Sequence, residues 1–376
     1  MRAEPAVPAA ALAAIRAPFE TLGAEVVDVP ILQPLGLLLD LAGEAMRARL
    51  FVVQAAGGEE TCLRPDFTVP VVRQHLESGR AAGRYYYEGK AFRAALGSDQ
   101  PDEFRQIGLE RFAADGETLE ADAEIAALAW ASAAAGGRGD LTLHLGDIAL
   151  FSAFLETQGL APPLAARLKR VAARPRLLAA ELARAGSEPT VDDNGRLADL
   201  LAGLSETDAA SLLEEVWSLA GVEPVGGRGA AEIAQRLIRR AEAARAPALT
   251  LDQAQAVRRF LAVDDAPRAA FAAVRAIAGK SAALEAALGG WSRRLELLAA
   301  AGVPADRLRF ATALGHAFDY YDGLTFEVRS AALAPDRAVA VGGRYDGLPA
   351  RLGGTAAVQA VGCMVRPWRA WAGGEA

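Results

Sequence analysis

The sequence predicts an α+β fold, with an antiparallel sheet flanked by helices and a mostly helical insert set into it. Three observations point there. Short strand-like runs fill the first 150 residues and return after about residue 305. Between them lies a long alanine- and leucine-rich stretch with charges at helical spacing. The strands do not alternate with helices as βαβ units require, which argues against a doubly wound parallel sheet. The 376 residues are 52% hydrophobic and 23% charged, enough apolar material for a sizeable core and too much for disorder.

The elements follow in order. Leu12, Ile15, Phe19 and Leu22 recur at helical spacing, with Pro18 expected to break or kink that helix and Gly23 to stop it. Residues 24–29 read as a strand ended by Pro30. Residues 50–54 and 60–63 read as a hairpin turning at Gly57 and Gly58, and residues 67–76 as a helix. Residues 84–92 and 104–112 read as two strands joined by a polar loop, followed by a helix over 119–135 and an alternating strand over 141–145. A helical insert is expected over 159–280, inside a single discontinuous core spanning 1–376. Strands return at 308–314, 318–328, 339–342 and 357–364, and Trp368 and Arg369 fall on a last short helix.

Composition excludes several functions. The net charge of −7 lacks the basic footprint of a nucleic-acid binder. Cys62 and Cys363 form no CxxC pair and read as reduced thiols. His75, His144 and His316 lie far apart with no HExxH spacing, so neither a metal nor another cofactor is expected. The alanine-rich N-terminus is interrupted by Glu4, Pro5, Pro8 and Arg16, and reads as a helical part of the mature chain rather than a signal peptide. No apolar run is long enough to span a bilayer, which makes the cytoplasm the default. Gly279-Lys280-Ser281 resembles the end of a phosphate loop, but Val274 stands where its first glycine belongs.

Four segments carry polar groups in patterns suited to a ligand. Asp66 and Thr68 sit between a strand end and a helix start, either capping the helix or facing a cleft as acceptors for an ammonium group. Gln106, Gly108 and Glu110 share one face of a strand, so Gln106 and Glu110 are placed to read one polar ligand, with Gly108 leaving room between them. Tyr320 and Tyr321 are adjacent; on a strand they point to opposite faces, so only one would meet a given pocket. Asp322-Gly323 after them is a hairpin signal. Gly342, Gly343 and Gly347 around Arg344 and Tyr345 mark a tight turn.

Taken in this order, the segments resemble the catalytic core of histidyl-tRNA synthetase, a class II aminoacyl-tRNA synthetase. The strand end at Val29-Pro30 looks like motif 1, residues 89–112 like motif 2, and residues 358–369 like motif 3. Residues 63–68 and 318–327 are similar to the two histidine-specific signatures of that family. The resemblance covers about residues 10–150 and 305–370. It implies a histidine pocket in which Asp66, in place of a glutamate, and Thr68 hold the ammonium group. Gln106 and Glu110 would contact the amino acid, Tyr320 and Tyr321 would meet the imidazole, and Arg93 would grip a carboxylate or phosphate.

The departures from that family fall around the nucleotide. His316 stands where it has an arginine, Ala95 where it has a glutamate, and Arg366 and Trp368 where it has a glycine and a glutamate; only Arg369 keeps its motif 3 identity. Losing one preorganised charge-stabilising donor costs roughly 10²–10³ in rate, so ATP-dependent activation is not expected. The chain also stops soon after motif 3, without an anticodon-binding domain. Together these features resemble the family of ATP phosphoribosyltransferase regulatory subunits, which are synthetase-like and non-catalytic. That resemblance implies a role in the first step of histidine biosynthesis and in feedback inhibition. It further implies assembly with the short catalytic subunit as a hetero-octamer, self-association as a dimer through the motif 1 region, L-histidine as effector, and neither tRNA nor membrane as partner. A divergent histidine-activating ligase and a stand-alone histidine-binding protein are the alternatives.

Overall fold

The structure is a computed structural model. It describes residues 2–374 except 55–57, 59, 97–98, 114–115, 117, 172–174, 187–199, 202, 221–229, 232, 236–237, 239–247, 280 and 315–319. The chain divides into two compact units, one formed by Met1–Phe154 with Arg259–Ala376 and the other by Leu155–Arg258.

The first unit is built on the strands β1 (Glu25–Val26), β5 (Gly83–Phe92), β6 (Glu103–Ala113), β7 (Leu141–Asp147), β8 (Asp264–Asp265), β9 (Leu308–Ala311), β10 (Leu324–Ser330), β11 (Ala340–Arg344) and β12 (Gln359–Val365). Among the described residues they form one sheet in the order β1-β5-β6-β12-β11-β10-β7-β9-β8. From β5 to β7 every neighbour is antiparallel, whereas β1 joins β5 and β9 joins β7 in parallel. The sheet is therefore mixed at its flanks and antiparallel where strands read most clearly from sequence. A second small sheet, β2-β4-β3, comprises β2 (Leu32–Pro34), β3 (Val52–Gln54) and β4 (Glu60–Leu63), with β3 and β4 pairing as the expected hairpin.

Helix α4 (Thr118–Ala135) packs against β11 and β12, and its many buried alanines let backbone and sheet approach closely. Fully buried Asp122 on α4 holds two cations, the Nε groups of Arg344 and Arg294, each at 2.8 Å. A buried carboxylate needs such partners to stay charged. Helix α1 (Ala9–Glu20) also packs on α4 and runs through Pro18 rather than breaking there. Pro18 costs the helix one backbone bond, the one its missing N–H would give to the Ala14 carbonyl, and packing on α4 outweighs that loss.

Two further expectations change. The strand expected over 318–328 begins only at Leu324, so Tyr320 and Tyr321 precede it and the opposite-face rule does not apply to them. Asp322-Gly323 is not a hairpin tip, because β10 pairs with β7 and β11 rather than with a strand just before it. Instead the Asp322 carboxylate accepts from the backbone N–H groups of Asp346 and Gly347 at 3.1 and 2.6 Å.

The second unit contains the helices Pro162–Val171, Pro175–Ala183 and Glu206–Ala220. It has a core of its own around Leu201, Ala209, Leu213, Ala230 and Ala234. Its span is Leu155–Arg258, against the 159–280 expected for the insert; β8 and the helix Pro267–Ala278 belong to the first unit. No described helix is long and apolar enough to cross a membrane.

Cross-strand pairing sets one tight constraint. Gly362 on β12 lies opposite Glu110 on β6, and a Cβ at 362 would stand 1.6 Å from the Glu110 Oε2. Gly362→Ala should therefore lower unfolding free energy by about 1–3 kcal/mol, the usual range for overpacking. Urea denaturation tests this, and an unchanged midpoint would show that Glu110 moves freely aside.

Candidate functional site

The site begins where β4 ends. Arg64 donates from Nε to the Lys90 carbonyl at 2.8 Å and from Nη1 to the Val29 carbonyl at 2.5 Å, with its guanidinium 4.1 Å from the Phe67 ring centre. Phe67 in turn stacks on Tyr87 of β5, centroids 4.5 Å apart. This staple fixes the Pro65-Asp66 turn against β5. Helix α3 (Thr68–Ser78) starts directly after it, and no side chain caps it, so Asp66 and Thr68 remain available for other partners.

Asp66, Thr68, Arg93, Gln106, Glu110, Tyr320 and Tyr321, drawn from four separate segments, all line one cavity of about 480 Å³. Gln106 and Glu110 reach it from alternate positions of β6, as the strand period requires. Both tyrosines reach it because they lie outside the strand, with ring centres 4.8 Å apart.

Glu110 is the best-satisfied group in the cavity. Thr68 donates to its Oε1 at 2.8 Å and Tyr87 to the same oxygen at 3.3 Å, while Tyr345 donates to Oε2 at 2.5 Å. Burial pushes its carboxyl up to about 7, against the downward pull of these hydroxyls. Gly108 does not leave room for a ligand. A Cβ there would lie 2.3 Å from the Tyr87 hydroxyl, so the space belongs to Tyr87. Glu110 thus holds the wall of the cavity together.

Asp66 and Gln106 differ in kind. Neither carboxylate oxygen of Asp66, and neither amide atom of Gln106, has a hydrogen-bond partner, although both side chains are buried. Burial raises the Asp66 pKa. Arg93 opposes this from 3.8 Å, and the nearby Thr68 and Val69 N–H groups favour the charge without reaching hydrogen-bond geometry. Arg93 is itself fixed by donation from Nε to the Pro65 carbonyl at 2.9 Å. Buried polar atoms are nearly always paired, so four such atoms facing one cavity mark a place for a polar ligand.

The other end of the cavity is lined by arginine. Arg366 lies 3.7 Å from the Phe104 ring centre and donates from Nη2 to Glu4 Oε1 at 2.5 Å. Burial lowers its pKa to about 9, with Arg369 adding to the effect and Glu4 opposing it. Arg369 donates to the Gln100 side-chain oxygen at 2.8 Å and to the Ala338 carbonyl at 3.0 Å. Ala95 also lines this end, its N–H bonded to Asp102 at 3.0 Å. Trp368 does not line the cavity; it packs on Trp371, centroids 5.5 Å apart. His316 lies outside the described residues.

Tyr87, Tyr345, Phe104 and Gln100 were not among the expected site residues. For two contacts the signal was present in the pairing: Tyr87 faces Gly108 across β5–β6, and Glu110 faces Gly362 across β6–β12. A large polar residue opposite a glycine in a buried sheet marks a side chain lying across its neighbour. The Glu4–Arg366 pair, 362 positions apart, had no such signal.

The chain matches the family model for histidyl-tRNA synthetase over residues 5–252 and 209–367. It is 34% identical over 358 residues to the ATP phosphoribosyltransferase regulatory subunit of Brucella anthropi, covering 93% of each chain. To the protein of the same name from Mesorhizobium japonicum it is 36% identical over 364 residues, covering 92% of each. Among solved structures it resembles an ATP phosphoribosyltransferase regulatory subunit/histidyl-tRNA synthetase from Bacillus halodurans, with TM-score 0.61 at 21% identity over 95% of this chain and 76% of that one. Histidyl-tRNA synthetase from Nostoc sp. PCC 7120 gives 0.60 at 16% identity, over 96% and 69%. These structural likenesses show a class II synthetase-like fold.

The Glu110 environment predicts a pH effect. The folded protein keeps this proton up to about pH 7, whereas an ordinary glutamate releases it near 4.5. The folded state therefore binds more protons in that window, and stability from this group falls as pH rises through it. Relative to the parent, Glu110→Gln should gain stability as pH rises from about 5 to 8 in urea unfolding. Parallel profiles would mean that Glu110 is ionised throughout.

Proposed function

This chain belongs to the family of ATP phosphoribosyltransferase regulatory subunits, and from that premise we propose that its cavity is the histidine sensor of the assembled enzyme. L-Histidine binds at the Asp66 end, and the occupied state holds the catalytic subunit in a less active form. The observation that carries this is the set of unpartnered buried atoms on Asp66 and Gln106, beside Arg93 and the two tyrosines. An amino acid brings the complement: an ammonium group for Asp66 and Thr68, a carboxylate for Arg93, and ring nitrogens for Gln106 and the tyrosine hydroxyls. Inhibition further requires that histidine bind the two forms of the assembly with different affinity.

The same reading makes the chain non-catalytic. Ala95 offers a nucleotide no carboxylate, and the Arg366 guanidinium covers a face of the Phe104 ring in the same cavity. His316 and Trp368 are further sequence positions at which the nucleotide chemistry of the synthetases is missing. The partner is the short catalytic subunit, in a hetero-octamer. Self-association is supported by exposed Val26, Ile31, Leu32, Val52 and Val53, which cluster around β1 and the small sheet at the motif 1 region.

Two outcomes are expected. Calorimetric titration should detect L-histidine, and Asp66→Asn should weaken it about 10–100-fold, the size of a lost hydrogen bond to a charged group. Unchanged affinity would remove Asp66 from the site. Added to the purified catalytic subunit, the chain should raise its activity; histidine should then lower it, with Asp66→Asn requiring more histidine. A catalytic subunit indifferent to this chain would sink the reading.

A further inference from the structure

We propose that Asp122, which does not line the cavity, is a positioning residue for it: through Arg344 it holds Tyr345 on Glu110 and fixes the segment that carries Tyr320 and Tyr321. Its effect on affinity rests on the amino-acid reading of the cavity; its effect on Glu110 does not.

Asp122 is fully buried on α4, and both its oxygens are engaged. Oδ1 accepts from Arg344 Nε at 2.8 Å and lies 2.7 Å from its Nη2. Oδ2 accepts from Arg294 Nε at 2.8 Å and lies 2.7 Å from its Nη2. The two cations have different destinations. Arg294 belongs to the helix Ala282–Ala300, whereas Arg344 closes β11 directly before Tyr345. The rest of the Arg344 guanidinium is also held. Its Nη1 donates to Asp346 Oδ1 at 2.9 Å, and its Nη2 to the Thr118 carbonyl at 3.1 Å. Burial loosens the Arg344 proton, but the charges of Asp122 and Asp346 outweigh this and raise its pKa.

Three contacts carry this anchorage to the cavity. The Tyr345 hydroxyl donates to Glu110 Oε2 at 2.5 Å. The Arg344 carbonyl accepts from the Asp322 N–H at 3.0 Å, which pins the residue after Tyr320 and Tyr321. The Tyr345 ring meets both of theirs edge-on, with centres 5.8 and 6.3 Å apart. The packing leaves little slack. A Cβ at Gly343 would stand 2.7 Å from the Tyr321 ring, and one at Gly323 would stand 3.1 Å from the Arg344 side chain. Binding groups must be held to within about 0.5 Å, which needs support from behind, and Asp122 supplies it.

The test reads the full chain in two ways. The first is the Glu110 carboxyl titration, followed by NMR with carbon-13-labelled glutamate; the signal is identified by its loss in Glu110→Gln. Burial raises this carboxyl and the Tyr345 hydroxyl opposes the rise. Tyr345→Phe should therefore raise the midpoint, and Asp122→Asn should raise it too. Arg344→Lys leaves Asp122 a cation but not the planar fork, should act in the same direction, and decides the matter if Asp122→Asn does not fold. Arg294→Gln removes the other cation and should leave the midpoint in place. A merely structural ion pair would change stability in these variants without moving the Glu110 titration. The second readout is calorimetric titration with L-histidine. Asp122→Asn or Arg344→Lys should weaken binding about tenfold, the size of one displaced hydrogen bond to a charged group. Combined with Tyr345→Phe, the losses should fall short of their product by more than about twofold, the margin within which independent sites multiply. No histidine binding by the parent would sink the amino-acid reading and leave the Glu110 titration to decide this proposal. A Glu110 midpoint unmoved in Asp122→Asn and Arg344→Lys, or histidine losses that simply multiply with that of Tyr345→Phe, would overturn it.

Discussion

The cavity depends on one buried carboxylate. Glu110 receives hydroxyl groups from the start of α3, from β5 and from the turn after β11, and so ties three segments to β6. In a low-dielectric setting each of these bonds is stronger than in water, and losing one partner strands the rest. The hydroxyls also make the arrangement tolerant, since a rotating O–H can serve the charged and the neutral carboxyl alike. With Thr68, Tyr87 and Tyr345 drawn inward, the cavity wall is set before any ligand arrives.

Against that satisfied wall, Asp66 and Gln106 stand out as unmet. Leaving a buried polar group without a partner costs about 1–3 kcal/mol. A ligand that matches these atoms removes that cost, so occupancy and stability are linked. The lining also mixes acid, amide and phenol groups with guanidinium groups beside an aromatic ring. Such polarity favours ligands that carry both charges, or two ligands of opposite character.

Much of this was legible in the sequence. The long strands β5 and β6 showed themselves by length and alternation, and the polar residues at one strand face and at the strand–helix junction do meet in one cavity. What escaped has physical reasons. Pro18 does cost its helix one backbone bond, but packing on α4 outweighs that local rule. Tyr320 and Tyr321 fall inside the strand expected over 318–328, but pairing starts only at Leu324. Gly108 was read as space for a ligand, whereas a neighbouring tyrosine fills it. Glu4 and Arg366 meet through the closure of the whole sheet, which no local pattern encodes.

The positions that hold the frame are not those that set the chemistry at the arginine end. Gly108 and Gly362 make way for Tyr87 and Glu110, while Ala95 and Arg366 line the opposite region and leave those contacts untouched. Changes at the second set can accumulate without passing through an unfolded chain. A lineage built on this scaffold is thus free to exchange the chemistry of that region while the frame of the cavity is inherited intact.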